Sequence, residues 1–78
     1  MPQLILYASP GCGFCSKVLH FMQSKGISIP IKNTYEGNNR EELIKIGGKG
    51  QTPCLVIDGK ALYESNDIVE WLDKNYKQ

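Results

Sequence analysis

The residues of this 78-residue chain whose types and spacing can do chemistry are Cys12-Gly13-Phe14-Cys15. They follow the apolar run Leu4-Ile5-Leu6-Tyr7 and the breaker Pro10-Gly11, and a helical pattern starts at once behind them. Two cysteines two residues apart, after a strand and a tight turn and at the mouth of a helix, read as a redox dithiol. A sulfur at a helix N-terminus faces backbone N–H groups without intrahelical partners and the positive end of the helix dipole, and both favour the thiolate. Such a site lowers a thiol pKa from ~8.5 into the range ~3.5–7.5, which makes a nucleophile at neutral pH. The second cysteine lies one turn on, close enough to close a disulfide.

Two other uses of the pair are a metal half-site and a structural disulfide. Zinc needs four ligands, and Cys54 and His20 are the only further cysteine and histidine, at spacings that suit a zinc site poorly. No metal is therefore expected. A disulfide closing so small a loop restricts the unfolded chain little.

The elements that must position the dithiol can be followed along the chain. Gln3–Tyr7 has the continuous apolar character of a central strand buried on both faces. From Gly13 to Lys25 the helical wheel gathers Phe14, Cys15, Val18, Leu19, Phe21 and Met22 on one side and leaves Ser16, His20, Gln23 and Ser24 on the other. His20 is thus a surface residue and no base for Cys12. Gly26 ends the helix. Ile27–Thr34 reads as a second strand, and Pro30 within it assigns that strand to a sheet edge. Strand, helix and strand make a βαβ unit with a parallel, right-handed crossover.

Asn38-Asn39 with Glu42 resembles a capping box for a short helix through Ile46, closed by Gly47-Gly48. Lys49–Thr52 is a polar loop. Pro53 precedes the strand Cys54–Ile57, Asp58-Gly59 signals a type I′ hairpin, and Lys60–Tyr63 returns. Ser65 is the expected N-cap of a last helix, with Asp67 in its first turn and Ile68, Val69, Trp71, Leu72 and Tyr76 available for packing. Glu70–Lys74 and Asp73–Lys77 are spaced as i,i+4 ion pairs. The order is βαβαββα in a single domain, residues 1–78. Cys54, at the start of its strand, is expected to act as a small buried hydrophobe.

Composition narrows the function classes. A formal net charge of +1 argues against bulk electrostatic binding to nucleic acid or anionic membrane. Neither a run of 18 apolar residues nor a charged-then-apolar leader stands out, so a cytoplasmic protein is expected. A reducing compartment fits three cysteines, an odd number.

The dithiol after a strand, Thr52-Pro53 before a hairpin, and a last helix begun at Glu64-Ser65-Asn66-Asp67 together resemble a glutaredoxin of the thioredoxin superfamily. Leu62 to Ile68 also resembles the glutathione-binding N-terminal domain of glutathione transferases; with no second helical domain after it, a complete transferase is not expected. The resemblance implies a thioredoxin-like α/β fold, a four-stranded mixed sheet flanked by helices on both faces, with Pro53 in a cis peptide beside the dithiol. It also implies glutathione as co-substrate, contacted by Phe14, Gln51, Thr52, Pro53, Ser65, Asn66 and Asp67. The Thr52 main chain would pair with the cysteinyl part, the start of the last helix would hold the γ-glutamyl end, and Lys17, Arg40 or Gln51 would meet the glycyl carboxylate.

The chain departs from the pattern in places. Gly13 and Phe14 stand where many dithiol glutaredoxins have proline and tyrosine. Gly-Phe is shared with monothiol glutaredoxins, which carry serine at the position of Cys15. Tyr63-Glu64 replaces a glycine pair, and the tryptophan of a thioredoxin is missing before the dithiol. The activity implied is reduction of protein disulfides and glutathionylated proteins by a monomer, with Cys12 attacking and Cys15 resolving. Alternatives are a glutathione-dependent [2Fe–2S] carrier, a dimer holding the cluster through Cys12 of each chain, and a dedicated electron donor fed by thioredoxin reductase.

Overall fold

The structure, a computed structural model, describes residues 2–76. The elements are β1 (Leu4–Ala8), α1 (Gly13–Lys25), β2 (Ile31–Asn33), α2 (Asn39–Gly47), β3 (Cys54–Ile57), β4 (Lys60–Leu62) and α3 (Ser65–Asn75). They form the expected βαβαββα mixed four-stranded sheet, with strand order β2-β1-β3-β4. β1 pairs parallel with β2 and antiparallel with β3, and β3 pairs antiparallel with β4.

The apolar run of β1 is continuous because both of its faces are covered. Side chains alternate along a strand, so Leu4 and Leu6 join Val18 and Met22 of α1 and Ile68 and Leu72 of α3 in one core. Tyr7 turns the other way and meets Leu43 of α2, Cys54 and Val56, with Ile5 packed alongside. The register Leu6↔Leu55 and Tyr7↔Cys54 places β3 residues in the same two layers. Cys54 is fully buried in the α2 layer, as its apolar setting in the sequence led us to expect.

Several local expectations gave way to tertiary partners. β2 is three residues long, not Ile27–Thr34. The Ile27 N–H closes onto the Met22 carbonyl at 2.9 Å, ending α1 through the left-handed Gly26, and the Ile27 side chain enters the core. Pro30 has no N–H to give, but its carbonyl accepts from the Leu6 N–H at 2.9 Å, and β2 runs along the sheet edge. The capping box at α2 does not form. Asn38 holds the cap position without a side-chain bond, which puts Glu42 one residue beyond the box position, and the Glu42 carboxylate receives Lys32 Nζ at 2.9 Å and the Tyr7 hydroxyl at 3.3 Å. Asn39 Nδ2 donates to the Asn33 carbonyl at 2.8 Å, tying α2 to the end of β2.

Ser65 is likewise the first helical residue of α3 and not its cap. Glu64, extended at φ −77° and ψ 129°, holds the cap position without a side-chain bond. The hairpin is as expected, with both Asp58 (φ 48°) and Gly59 (φ 83°) in the left-handed region. The Glu70–Lys74 pair forms at 2.9 Å on an exposed face, where such pairs contribute only ~0–1 kcal/mol. Lys77, the expected partner of Asp73, lies outside the described residues. Among those residues no helix is long and apolar enough to cross a membrane.

Only Leu43 of α2 is buried, with no exposed surface, while Ile44 and Ile46 of the same helix are 37% and 39% exposed. The apolar docking of α2 thus centres on one buried side chain. Leu43→Ala should cost about 2–5 kcal/mol of unfolding free energy, and hydrogen exchange should show the α2 amides losing protection before those of α1. Equal loss of protection in both helices would contradict this division of the core.

Candidate active site

β1 ends at Ala8, and the turn through Pro10 and Gly11 (φ 73°) delivers Cys12 to the start of α1. Cys12 is the N-cap itself, extended at φ −88° and ψ 113°, and its sulfur accepts the Cys15 N–H at 3.1 Å. An ordinary helix uses a Ser, Thr, Asp or Asn oxygen for this bond. Here the sulfur that could do chemistry does the capping. It also lies 3.7 Å from the Thr52 carbonyl and 3.9 Å from the Thr52 hydroxyl. The neutral thiol can donate to the first, and the sulfur can accept from the second. Ser9 Oγ lies 2.8 Å from Thr52 Oγ1, so a short hydroxyl relay ends at Cys12.

The two thiols are shifted in opposite directions. Burial acts against the Cys12 thiolate, but hydrogen bonds from the Cys15 thiol and N–H, the Thr52 hydroxyl and the Phe14 N–H outweigh it, so its pKa falls below the ordinary value. Burial raises the pKa of Cys15, and its hydrogen bond to Cys12 raises it further. Exposure agrees: Cys12 is partly exposed and Cys15 is 1% exposed, packed in α1 with Val18 and Met22. Burial pushes Cys54 up to about 11, on the α2 side of the sheet.

Beside the dithiol, a small cleft of about 90 Å³ is lined by Phe14, Gln51, Thr52, Pro53, Tyr63, Glu64 and Ser65. The Thr52–Pro53 peptide is cis, as the resemblance implied. Five residues expected from the sequence to contact glutathione therefore meet in one place. Phe14 is among them for a reason the helical wheel missed. In the first turn of α1 it points away from the core and is 68% exposed. Asn66 lies beside this group and its Oδ1 accepts from the Lys17 ammonium. Asp67 is set apart, lining a separate surface hollow with Glu70, Trp71 and Lys74. Arg40 lies against Gly50, next to Gln51.

Ser9, Tyr63 and Glu64 stand around the dithiol and its cleft, though none is named from the sequence as a site residue. Tyr63 and Glu64 lie within the stretch Leu62–Ile68 that resembles the glutathione-binding domain, whereas the only signal for Ser9 is its position just after β1. Larger hollows exist, including one of about 230 Å³ between the ends of α1 and α3 lined by Phe21, Lys25, Ile27, Leu72, Asp73 and Tyr76. It lies at the C-terminal ends of α1 and α3, away from the dithiol at the start of α1, so size does not select the site. Among the described residues no group of three or more His, Cys, Asp or Glu is placed to hold a metal ion.

Comparisons with known proteins bear on the family and fold of the chain. The family model described as "Glutathione S-transferase, N-terminal domain" matches residues 6–78. The chain is 31% identical to glutathione S-transferase DHAR3, chloroplastic, of Arabidopsis thaliana over 67 residues, which is 86% of this chain and 26% of that protein. It is 30% identical to glutaredoxin 3 of Escherichia coli over 73 residues, covering 87% of this chain and 83% of that one. The solved glutathione transferase Omega 3C of Trametes versicolor superposes with a TM-score of 0.80 at 29% identity, over 97% of this chain and 35% of its own. The chain thus spans about a quarter to a third of the transferases it matches, and most of the glutaredoxin. By sequence and fold together, it belongs to the glutathione S-transferase N-terminal domain family of the thioredoxin superfamily, with glutaredoxin among its relatives.

Proposed function

We propose that this chain is a glutathione-dependent thiol–disulfide oxidoreductase acting on glutathione mixed disulfides and protein disulfides. The observation that carries the reading is the asymmetry of the pair. The Cys12 sulfur is partly exposed and accepts the Cys15 N–H at the mouth of α1, while Cys15 lies buried one turn on with its pKa raised. A thiolate is the attacking species in disulfide exchange, so the first step falls to Cys12. The names of the transferase and glutaredoxin relatives support glutathione as co-substrate.

In the reaction, the Cys12 thiolate attacks one sulfur of a disulfide, a Cys12–S bond forms, and the departing thiolate takes up a proton from solvent. Two routes complete it. Where the mixed disulfide is between Cys12 and glutathione, a second glutathione thiolate can attack its glutathione sulfur, breaking the bond to Cys12, freeing the Cys12 thiolate and leaving oxidised glutathione. Otherwise Cys15 loses its proton and attacks the Cys12 sulfur, releasing the bound thiol and leaving a Cys12–Cys15 disulfide for two glutathione molecules to reduce. The cleft beside Cys12 suits a bound glutathione: Phe14 and Pro53 as apolar walls, the Thr52 main chain for strand-like pairing, and Ser65 and Asn66 at the start of α3 for the γ-glutamyl carboxylate. Gln51 lines the same cleft, with Arg40 behind Gly50, on the side left for the glycyl carboxylate.

The roles are separated by serine replacement, assayed with NADPH, glutathione and glutathione reductase. Cys12→Ser should abolish all turnover. Cys15→Ser should keep deglutathionylation while losing most dithiol-dependent reduction of protein disulfides, and iodoacetamide at slightly acidic pH should label Cys12 first. Turnover of a glutathionylated peptide by the Cys12→Ser protein would defeat the assignment.

Gly13 offers a second check. A Cβ there would meet nothing within 4 Å, and the residue is the first of α1, where proline is favoured. The Cys12 sulfur takes its backbone hydrogen bonds from Phe14 and Cys15. Gly13→Pro should therefore stabilise the fold by about 0.4–1 kcal/mol through the unfolded chain and leave Cys12 reactive at slightly acidic pH. A thiol returned to ordinary reactivity would mean that the Gly13 N–H acts on the sulfur.

A further inference from the structure

Tyr63 lies just beyond β4, where the connection from α2 to β3 passes the end of the sheet. Its hydroxyl donates to the Lys49 carbonyl at 2.8 Å and accepts from the Lys49 N–H at 3.3 Å. One phenol oxygen thus takes both main-chain groups of one loop residue, as a neighbouring strand would. The Lys49 ammonium turns back over the ring, 4.9 Å from its centroid. Room for the hydroxyl comes from Gly47, where a Cβ would collide with the Tyr63 oxygen and lie 2.7 Å from Ala61 Cβ. Across the loop, a Cβ on Gly50 would lie 2.8 Å from Arg40 Nε, so the guanidinium sits close beside the main chain there.

Residues 48–52 belong to neither helix nor strand, so no ladder fixes their main chain, and the Tyr63 hydroxyl ties down the exposed Lys49 backbone in its place. The segment ends at Thr52, whose carbonyl and hydroxyl stand 3.7 and 3.9 Å from the Cys12 sulfur. Tyr63 also lines the cleft beside Phe14 and Pro53. From this geometry we infer that Tyr63 is a positioning residue for the dithiol site: by gripping Lys49 it fixes the loop that presents Thr52 to Cys12 and walls the glutathione cleft. The inference rests on the reading of Cys12 as the nucleophile. Tyr63 touches no reacting atom; it acts through Lys49 and Thr52. The support that Thr52 lends to the Cys12 thiolate is what its loss would weaken.

The test is Tyr63→Phe in the whole chain, beside Tyr76→Phe as a control. The Tyr76 hydroxyl donates to the Ser28 carbonyl at 3.2 Å, away from the dithiol, so its variant loses one phenol-to-carbonyl bond, where Tyr63→Phe loses one such bond and the weaker one from the Lys49 N–H. Three quantities are read: the pH profile of iodoacetamide alkylation at Cys12, the exchange rate of the Lys49 amide, and kcat and KM for a glutathionylated peptide. Tyr63→Phe should move the alkylation midpoint up toward the ordinary thiol value, speed Lys49 exchange, and raise KM about three- to tenfold, the worth of one net hydrogen bond, with a smaller change in kcat. Tyr76→Phe should lower the melting temperature and leave all three readings at wild-type values. The inference is overturned if Tyr63→Phe matches wild type in alkylation profile and KM, or if Tyr76→Phe shifts them equally. Failure of the functional reading looks different: the wild-type protein would not turn over the peptide, while the alkylation profiles would still decide the role of Tyr63.

Discussion

The 3.1 Å hydrogen bond from the Cys15 N–H to the Cys12 sulfur is the interaction on which the rest of the site depends. It caps α1 and sets the state of the nucleophile at once. A neutral thiol is a poor acceptor and a thiolate a good one, so the helix start and the ionised sulfur stabilise each other. Hydrogen bonds to charged groups are worth about 1.5–3 kcal/mol each. A set drawn from Cys15, Phe14 and Thr52 can therefore outweigh the burial that opposes ionisation of Cys12. The same step of one helical turn carries Cys15 into the core, where burial dominates and the proton stays on. One turn of helix thus makes two different thiols from one residue type.

Everything around that bond serves to keep it in place. β1 ends at Ala8 and α1 begins at Gly13, with β1 in the interior of the sheet and Val18 and Met22 fastening α1 to Leu4 and Leu6. On the other side of the sulfur, Thr52 is delivered by a loop that follows α2, and α2 is anchored by Leu43 alone among its buried side chains. The two halves of the site therefore differ in how firmly they are held. The cysteine half rests on the larger core and the Thr52 half on a smaller one, reinforced by the polar contacts of Tyr63. Local opening would begin in the second.

What the sequence disclosed and withheld follows from the range of the forces involved. The dithiol, the βαβ unit, the Asp58-Gly59 hairpin and the two-faced burial of β1 are set by neighbouring residues or by simple periods, so pattern alone reaches them. The capping box did not form: with Asn38 at the cap, Glu42 stands one residue beyond the box position and meets Lys32 and Tyr7, partners supplied by other strands. Ser65 moved from cap to first helical residue because Glu64 takes the extended cap conformation. Phe14 lies on the apolar side of the wheel, yet the wheel does not know that the first turn of α1 overhangs a cleft. Ser9 and Tyr63 act across 43 and 14 residues of separation, and no local pattern shows those contacts.

The central claim is that the Cys15 amide holds the Cys12 thiolate. It is tested most directly by following the Cys12 Cβ and the Cys15 backbone amide by NMR in one pH titration of the reduced protein. The account predicts that both signals titrate together, with a shared midpoint below the ordinary thiol value, while Cys54 stays protonated until about 11. A Cys15 amide that does not respond as Cys12 ionises, or a Cys12 midpoint at or above the ordinary value, would contradict it.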